Sequence, residues 1–508
     1  MTEPLPQNHD NLGVMVCTWA KSQPDKPAII CDGVVVSYEE LENRFLRYRQ
    51  ALNGLGVKQG GRVIVAPADK GAFVIAMVAM FNYGAVAIPL VGESTALMAK
   101  VQEETGADAI VVDHGTAPAP AGTPTVCAVD IVPAPADLPP GTSPDDGAAT
   151  KADDLAAVVF TSGTQGTRKG VMLSHANLAT TERYLNRFLV VNEDIREYVT
   201  APPFHAFGFG RTRSILRAGG TIVCDNGDFN AVKVLRGIEK HGCNALSGVA
   251  SAILVLAERF TPRTEAIAGQ LRWMEIGSQP MHMSQKQSLC LIFHAARMAF
   301  NYGMTEASRS TLIDFNHEVA HIESSGRAAP GTEIRICTAE RKPLPVGTVG
   351  VVEMSGPHVA QGYWNNDTAW RKAYRDGWFR SDDIGYMDEE GYLFYVGRID
   401  DMLNIGGELI APTDLEHAFK PRLSGVEFVV VGTEDEVKGE VPVICFEPGS
   451  TVVSDWSALR ESLVGSVPNK FLPQAGYMVQ NLPRTAVGKV KRAELRNKIG
   501  LGQLAKVR

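Results

Sequence analysis

Several features are missing from this chain of 508 residues. No CxxC pair occurs: the eight cysteines stand singly at 17, 31, 127, 224, 243, 290, 337 and 445, none at zinc-ligand spacing. That argues against a zinc ribbon or a dithiol redox motif and favours reduced thiols, so a cytoplasmic setting is expected. No basic tract stands out. Forty-nine Lys and Arg face 57 Asp and Glu, a net charge of −8, and no nucleic-acid partner is expected. No apolar run is long enough to cross a bilayer: Ala72–Phe81 falls well short of the roughly 20 residues a spanning helix needs. Met1 to Gly13 is polar and lacks a signal-peptide core. No internal repeat is visible. With 45% hydrophobic residues, disorder is excluded as the dominant state.

What is present alternates strand and helix, the pattern of α/β layers. Arg62–Ala66, Ala109–Val112 and Ala156–Phe160 have the apolar shortness of buried strands, and Ser37–Leu55 and Ala231–His241 have helical periodicity. Ala72–Phe81, Gly84 and Ala85–Leu90 predict a buried helix, a glycine cap and a buried strand. The Ala-, Pro-, Gly- and Asp-dense stretch from Gly115 to Thr150 is expected to be a surface excursion. From residue 326, glycine turns between short β-rich runs suggest smaller sheets, and the chain after Arg398 suggests a separate small α/β unit.

The sharpest local signal follows the strand Ala156–Phe160. It runs Thr161, Ser162, Gly163, Thr164, Gln165, Gly166, Thr167, Arg168, Lys169, Gly170. Glycines let backbone N–H groups converge on an anion, the hydroxyls add donors, and Lys169 and Arg168 add positive charge, which is what a polyphosphate needs. It is not the GxxxxGK-S/T loop, because Gly170 follows the lysine. The stretch resembles the phosphate loop of the adenylate-forming superfamily, which includes acyl-CoA synthetases, luciferase and peptide-synthetase adenylation domains. Their pattern is S/T-S-G-S/T-S/T-G-x-P-K-G. Gln165 stands where a hydroxyl is usual and Arg168 where proline is usual, so a less rigid loop is expected.

Further segments resemble the same family, in the same order. Asn301–Glu306 is similar to Y-G-x-T-E, which implies that Tyr302 stacks on adenine, Thr305 meets the α-phosphate and Glu306 binds Mg²⁺. Gly277-Ser278-Gln279-Pro280-Met281 resembles the adenine-contacting segment. Gly377–Tyr386 resembles G-W-F/Y-x-T-G-D, making Asp383 the ribose ligand, while Asp382 replaces a glycine and is read as part of a turn. In Gly397–Met402, Arg398 would contact ribose or phosphate and Asp400 would be a hinge. Asn404–Glu416, with Gly406 and Gly407, resembles the lining of the CoA pantetheine tunnel. Pro483–Val490 resembles P-R/K-T-x-x-G-K, which gives Lys489 the carboxylate and α-phosphate during adenylation.

The resemblance implies an α/β fold with a large N-terminal domain, residues 1–399. That domain would hold two stacked α/β subdomains and a small β-barrel. A small mobile α+β domain, residues 400–508, would turn about Asp400. ATP, Mg²⁺ and CoA are the implied cofactors, and a small carboxylic acid the substrate. Pro202–Gly210 resembles a segment of acyl- and aryl-CoA synthetases, placing His205 between acid and thiol. Amino-acid-activating members usually carry Asp at His205, which argues against α-amino acids. Phe209, Gly303 and Met304 are the expected acid contacts, with pocket walls near Tyr184, Val249–Ser251 and Ile276. Arg211 is expected to face solvent in preference to pairing with a second substrate carboxylate. The leading expectation is an AMP-forming ligase of aryl or other apolar acids, most like short aryl-acid ligases. The alternatives are a stand-alone enzyme loading an acyl carrier protein and a nucleotide-binding protein that has lost catalysis. A homodimer is kept as a further partner state.

Overall fold

The computed structural model describes residues 9–113, 123–127, 150–161, 168–405, 408–423, 425–435, 439–447, 455–484 and 490–507. By packing, the chain forms two compact units. One comprises Met1–Ile334, Met354–Phe379 and Gly391–Leu393; the other comprises Arg335–Glu353, Arg380–Glu390 and Phe394–Arg508.

The first unit is built on two mixed sheets. In the nine-stranded sheet the order is Arg327–Ala328, Ala307–Asp314, Arg297–Met304, Trp273–Gly277, Ala245–Val249, Arg196–Val199, Thr221–Cys224, Pro27–Cys31, Val34–Ser37. Its inner strands run parallel and its two ends close antiparallel. The seven-stranded sheet runs Gly362–Tyr363, Lys169–Ser174, Leu155–Thr161, Val86–Pro89, Arg62–Val65, Ala109–Val112, Thr125–Cys127. Thr125–Cys127 lies inside the stretch expected to be only a surface excursion, and it pairs in parallel with Ala109–Val112. Its β-branched Thr125 and Val126 suffice to extend an open sheet edge.

The apolar segment at 72–81 does form a buried helix, Lys70–Tyr83, with Asp69 as its N-cap and Gly84 as its left-handed C-cap. It is apolar all round because it is covered all round: Phe73, Ala76, Val78 and Met80 are each buried in the large core. The helices Tyr38–Gly54 and Ala231–His241 match the periodicity read from the sequence.

The second unit carries a six-stranded sheet. It runs Glu408–Ile410, Leu403–Ile405, Gly439–Phe446, Gly476–Met478, Ala505–Lys506, with Phe428–Asp435 also on Gly439–Phe446. The helices Pro412–Phe419 and Arg492–Gly500 give it an α+β character, with Leu415, Phe419, Val430 and Ile444 in one core. Where a small β-barrel was expected within residues 1–399, there is a five-stranded sheet whose strands include Glu333–Cys337, Gly350–Ser355, Trp378–Met387 and Leu393–Arg398.

Candidate active site

The glycine-rich segment joins two antiparallel strands, Leu155–Thr161 and Lys169–Ser174, with Thr161 opposite Lys169. Thr161 Oγ1 lies 3.4 Å from the Lys169 carbonyl. Ser162, Gly163, Thr164, Gln165 and Gly166 fall outside the described residues. Arg168 ion-pairs with Glu93 at 2.7 Å, a tie that proline at this position could not make.

Lys169 does not stand alone. Its Nζ sits 5.0 Å from the centroid of the Tyr363 ring. The Tyr363 hydroxyl donates to Glu306 Oε1 at 2.8 Å. The strand Gly362–Tyr363 pairs with Lys169–Ser174, so the sheet itself fixes this geometry. Lys169 and Glu306, expected to serve phosphate and metal, are thus brought onto one tyrosine. In the sequence Tyr363 stands between Gly362 and Trp364, outside every motif named above, and gives little local signal.

Tyr302 to Glu306 form the end of a hairpin between Arg297–Met304 and Ala307–Asp314, with a register irregularity between Tyr302 and Met304. Tyr302 is buried, while Met304, Thr305 and Glu306 are half-buried. Gly303 is required by close approach: a Cβ there would lie 2.3 Å from the Arg309 backbone nitrogen. Gly277 ends the adjacent strand, where a Cβ would meet the Phe207 ring at 2.8 Å and Asn301 Nδ2 at 3.1 Å. The adenine-segment glycine, the Tyr302 hairpin and the Phe207 helix therefore adjoin.

His205 is the N-cap residue of the helix Ala206–Arg217, half-buried, its ring edge-on to Phe204 at 4.9 Å. Burial holds its imidazole below the usual histidine range, so it is neutral at pH 7. Phe209 is buried in the large core, tilted against Phe81 at 6.2 Å with Arg213 over its ring. Tyr184 and Ile276 are also buried, and the Tyr184 hydroxyl donates to the carbonyls of Ser308 and Arg309. Val249 is half-buried and Ser251 exposed.

Arg211 does not face solvent. It is fully buried, bidentate on Glu197 at 3.0 and 2.6 Å, with Nη1 2.9 Å from Glu275. Glu197 and Glu275 lie on strands under the helix, and their carboxylates supply the partners water would otherwise give. Burial pushes the Glu197 carboxyl up while Arg211 opposes it. Burial also works against the Arg211 charge, but the two glutamates hold it above its ordinary value. With a guanidinium nitrogen on each Glu197 oxygen, we take the pair as ionised. On the other side of the helix, Arg213 and Arg217 both grip Glu182. Arg309 completes the set, donating to Glu275 Oε1 at 2.8 Å beside Asn301 at 2.8 Å.

In the second unit, Asp382 and Asp383 lie within the strand Trp378–Met387, which corrects the reading of Asp382 as part of a turn. Strand pairing on both sides holds that backbone extended. Asp382 is exposed and accepts from Arg398 at 3.2 Å, while Asp383 is half-buried. Asp383 and Asp382 help to hold the Arg398 guanidinium above its ordinary value against burial. Asp400 is exposed in a short 3-10 turn, Ile399–Asp401. Gly406, Gly407 and Lys489 lie outside the described residues.

Among the described residues no group of three or more His, Cys, Asp and Glu is poised for a metal. A single carboxylate oriented by a tyrosine, as at Glu306, fits a hard divalent cation whose other ligands are phosphate oxygens and water. Among the same residues no helix is long and apolar enough to cross a membrane.

The family model described as AMP-binding enzyme matches residues 16–364. Feruloyl-CoA synthase of Amycolatopsis sp is 30% identical over 97% of this chain and 100% of its own length. The 2-succinylbenzoate–CoA ligase of Bacillus licheniformis is 28% identical over 94% of this chain and 98% of its own. Among solved structures, ATP-bound MatB from Rhodopseudomonas palustris has a TM-score of 0.82 at 25% identity, covering 97% of this chain and 99% of that one. The MenE o-succinylbenzoate CoA synthetase from Bacillus subtilis, complexed with its acyl-adenylate OSB-AMP, has a TM-score of 0.83 at 23% identity, covering 95% and 97%.

Proposed function

The chain belongs to the AMP-binding enzyme family and is an AMP-forming acid–thiol ligase, and we propose that its acid is an aryl or other apolar carboxylic acid, joined to CoA. Reaction through an acyl-adenylate has two halves. A carboxylate oxygen attacks the α-phosphorus of ATP and pyrophosphate leaves. A CoA thiolate then attacks the acyl carbon and AMP leaves. The first half brings anion to anion, so the protein must neutralise charge and fix the approach.

The observation that carries the assignment of parts is the grouping of Lys169, Tyr363 and Glu306. We assign Lys169, with Thr161, Ser162, Gly163, Thr164 and Gly166, to the phosphates. Glu306, held by Tyr363, would carry Mg²⁺, which when bound neutralises phosphate charge. Tyr302 and Gly277 are assigned to adenine, Thr305 to the α-phosphate, and Asp383 and Arg398 to the ribose. Lys489 is assigned to the carboxylate–phosphate contact. The neutral imidazole of His205 suits a position beside an uncharged acyl group. Phe209, Gly303 and Met304 are assigned to the acid side, with Phe209 acting from the core behind it. Residues 400–508 would turn about Asp400 between the halves, bringing Gly406 and Gly407 to the pantetheine.

CoA, in preference to a carrier protein, is supported by relatives matched along their whole length that are named CoA synthase or CoA ligase. The test is ATP-dependent AMP release with aryl, medium-chain, dicarboxylic and amino acids, each with and without CoA. AMP and acyl-CoA rising together for aryl or other apolar acids is expected. Adenylate formation that CoA does not accelerate would refute CoA as acceptor.

A further inference from the structure

Arg309 has an unusual setting. Its φ is +54°, a left-handed conformation that side chains other than glycine, asparagine and aspartate seldom adopt. The surroundings hold it there. The Tyr184 hydroxyl donates to its carbonyl at 3.0 Å, and Gly303 packs on its backbone nitrogen. From the strand Ala307–Asp314 its side chain reaches across the neighbouring strand Arg297–Met304 to Glu275 on the next one. Nη2 donates to the Phe207 carbonyl at 3.1 Å, and the guanidinium lies over the Phe207 ring at 5.1 Å. A Cβ on Gly210 would come within 2.2 Å of Nη1. The guanidinium thus fills the layer between the helix Ala206–Arg217 and the sheet. That layer separates the helix of His205 and Phe209 from the hairpin of Gly303 and Met304.

We propose that Arg309 sets the size of the acid: its guanidinium is the floor of the acyl pocket, so the enzyme takes a compact acyl group and rejects one that extends past this plane. The inference rests on the ligase reading above, which places the acyl group between these two elements. The floor is rigid because it is tied at several points, to Glu275, to the Phe207 carbonyl and to Ser308 Oγ at 3.3 Å. An apolar wall yields to one extra methylene at modest cost, whereas the buried guanidinium cannot move without giving up its own ties to Glu275 and the Phe207 carbonyl. Glu275 keeps Arg211 and Asn301 when Arg309 is removed, so truncation is compatible with folding.

The test is ATP–pyrophosphate exchange with benzoate, ferulate and octanoate as probes, in wild type, Arg309→Ala and Gly210→Ala. Arg309→Ala is expected to raise kcat/KM for ferulate or octanoate relative to benzoate by about tenfold or more, with KM for ATP unchanged within about twofold. Gly210→Ala presses a methyl group on the guanidinium and is expected to lower exchange with benzoate; adding Arg309→Ala should restore it. Should Arg309→Ala fail to fold, Arg309→Gly relieves the left-handed strain and must show the same shift in the ratio. Unchanged ratios in a variant that still exchanges, or equal losses for every acid and for ATP, would overturn the proposal. Absence of exchange with every acid in wild type would instead refute the ligase reading, and this proposal with it.

Discussion

Tyr363→Phe isolates one hydrogen bond in the group that gathers Lys169 and Glu306. The substitution removes the hydroxyl that donates to Glu306 Oε1 at 2.8 Å and leaves the ring under Lys169 Nζ. A hydrogen bond to a charged acceptor contributes about 1.5–3 kcal/mol. If it acts by fixing the carboxylate for Mg²⁺, the loss appears as weaker use of the MgATP complex. About 1.4 kcal/mol is a factor of ten, so the expected rise in KM for MgATP is roughly tenfold or more. KM for the acid should change little, and raised Mg²⁺ should recover part of the rate. Tyr363→Ala removes the ring as well, which frees Lys169, and should cost more in kcat. Exchange measured over a Mg²⁺ series separates these effects. Unchanged Mg²⁺ and ATP dependence in Tyr363→Phe would refute the reasoning, because the tyrosine would then merely fill space.

Other consequences follow from the same contacts. Glu275→Gln leaves buried Arg309 without its carboxylate partner and Arg211 with Glu197 alone; a loss of about 3–5 kcal/mol is expected, read as a fall of roughly 5–15 °C in the thermal midpoint. Gly303→Ala places a methyl group 2.3 Å from the Arg309 nitrogen and should abolish adenylation through displacement of the Tyr302 hairpin, seen as lost exchange in a protein with an unshifted circular dichroism spectrum. Burial pushes both His175 and His358 down to about 4. Each binds fewer protons folded than unfolded, so stability is full above about pH 6.5 and falls as pH drops from there to about 4. The loss is at most about 3 kcal/mol each. Denaturant midpoints between pH 7 and 4 check this, and His358→Asn, which cannot charge, should flatten the slope; an unaltered slope would contradict it.

Much of the fold was legible because its elements carry strong local signals. The helix at 70–83 has its Asp and Gly caps written beside an apolar run, and Ala231–His241 has clean amphipathic spacing. The ordered motifs single out Lys169 and Glu306, which the structure gathers on Tyr363, since each motif couples a backbone shape to a polar group. What the sequence hid was partnership at long range. The helix Ala206–Arg217 carries Arg211 opposite Arg213 and Arg217, so its arginines cannot all face one side. That was a usable sign of buried ion pairs, but the acceptors Glu197, Glu275 and Glu182 come from distant segments. Tyr363 is likewise defined by a strand pairing nearly 200 residues along the chain from Lys169. Asp382 and Asp383 resemble a turn locally because they are two adjacent acids, whereas strand pairing decides the backbone there.

The most direct test of the account measures AMP, pyrophosphate and acyl-CoA together, with ATP, Mg²⁺ and a panel of acids, with and without CoA. Equal amounts of AMP and acyl-CoA are expected for one class of apolar acid, dependent on CoA and lost in Lys489→Ala. No AMP with any acid, or ATP turnover that ignores both acid and CoA, would contradict it.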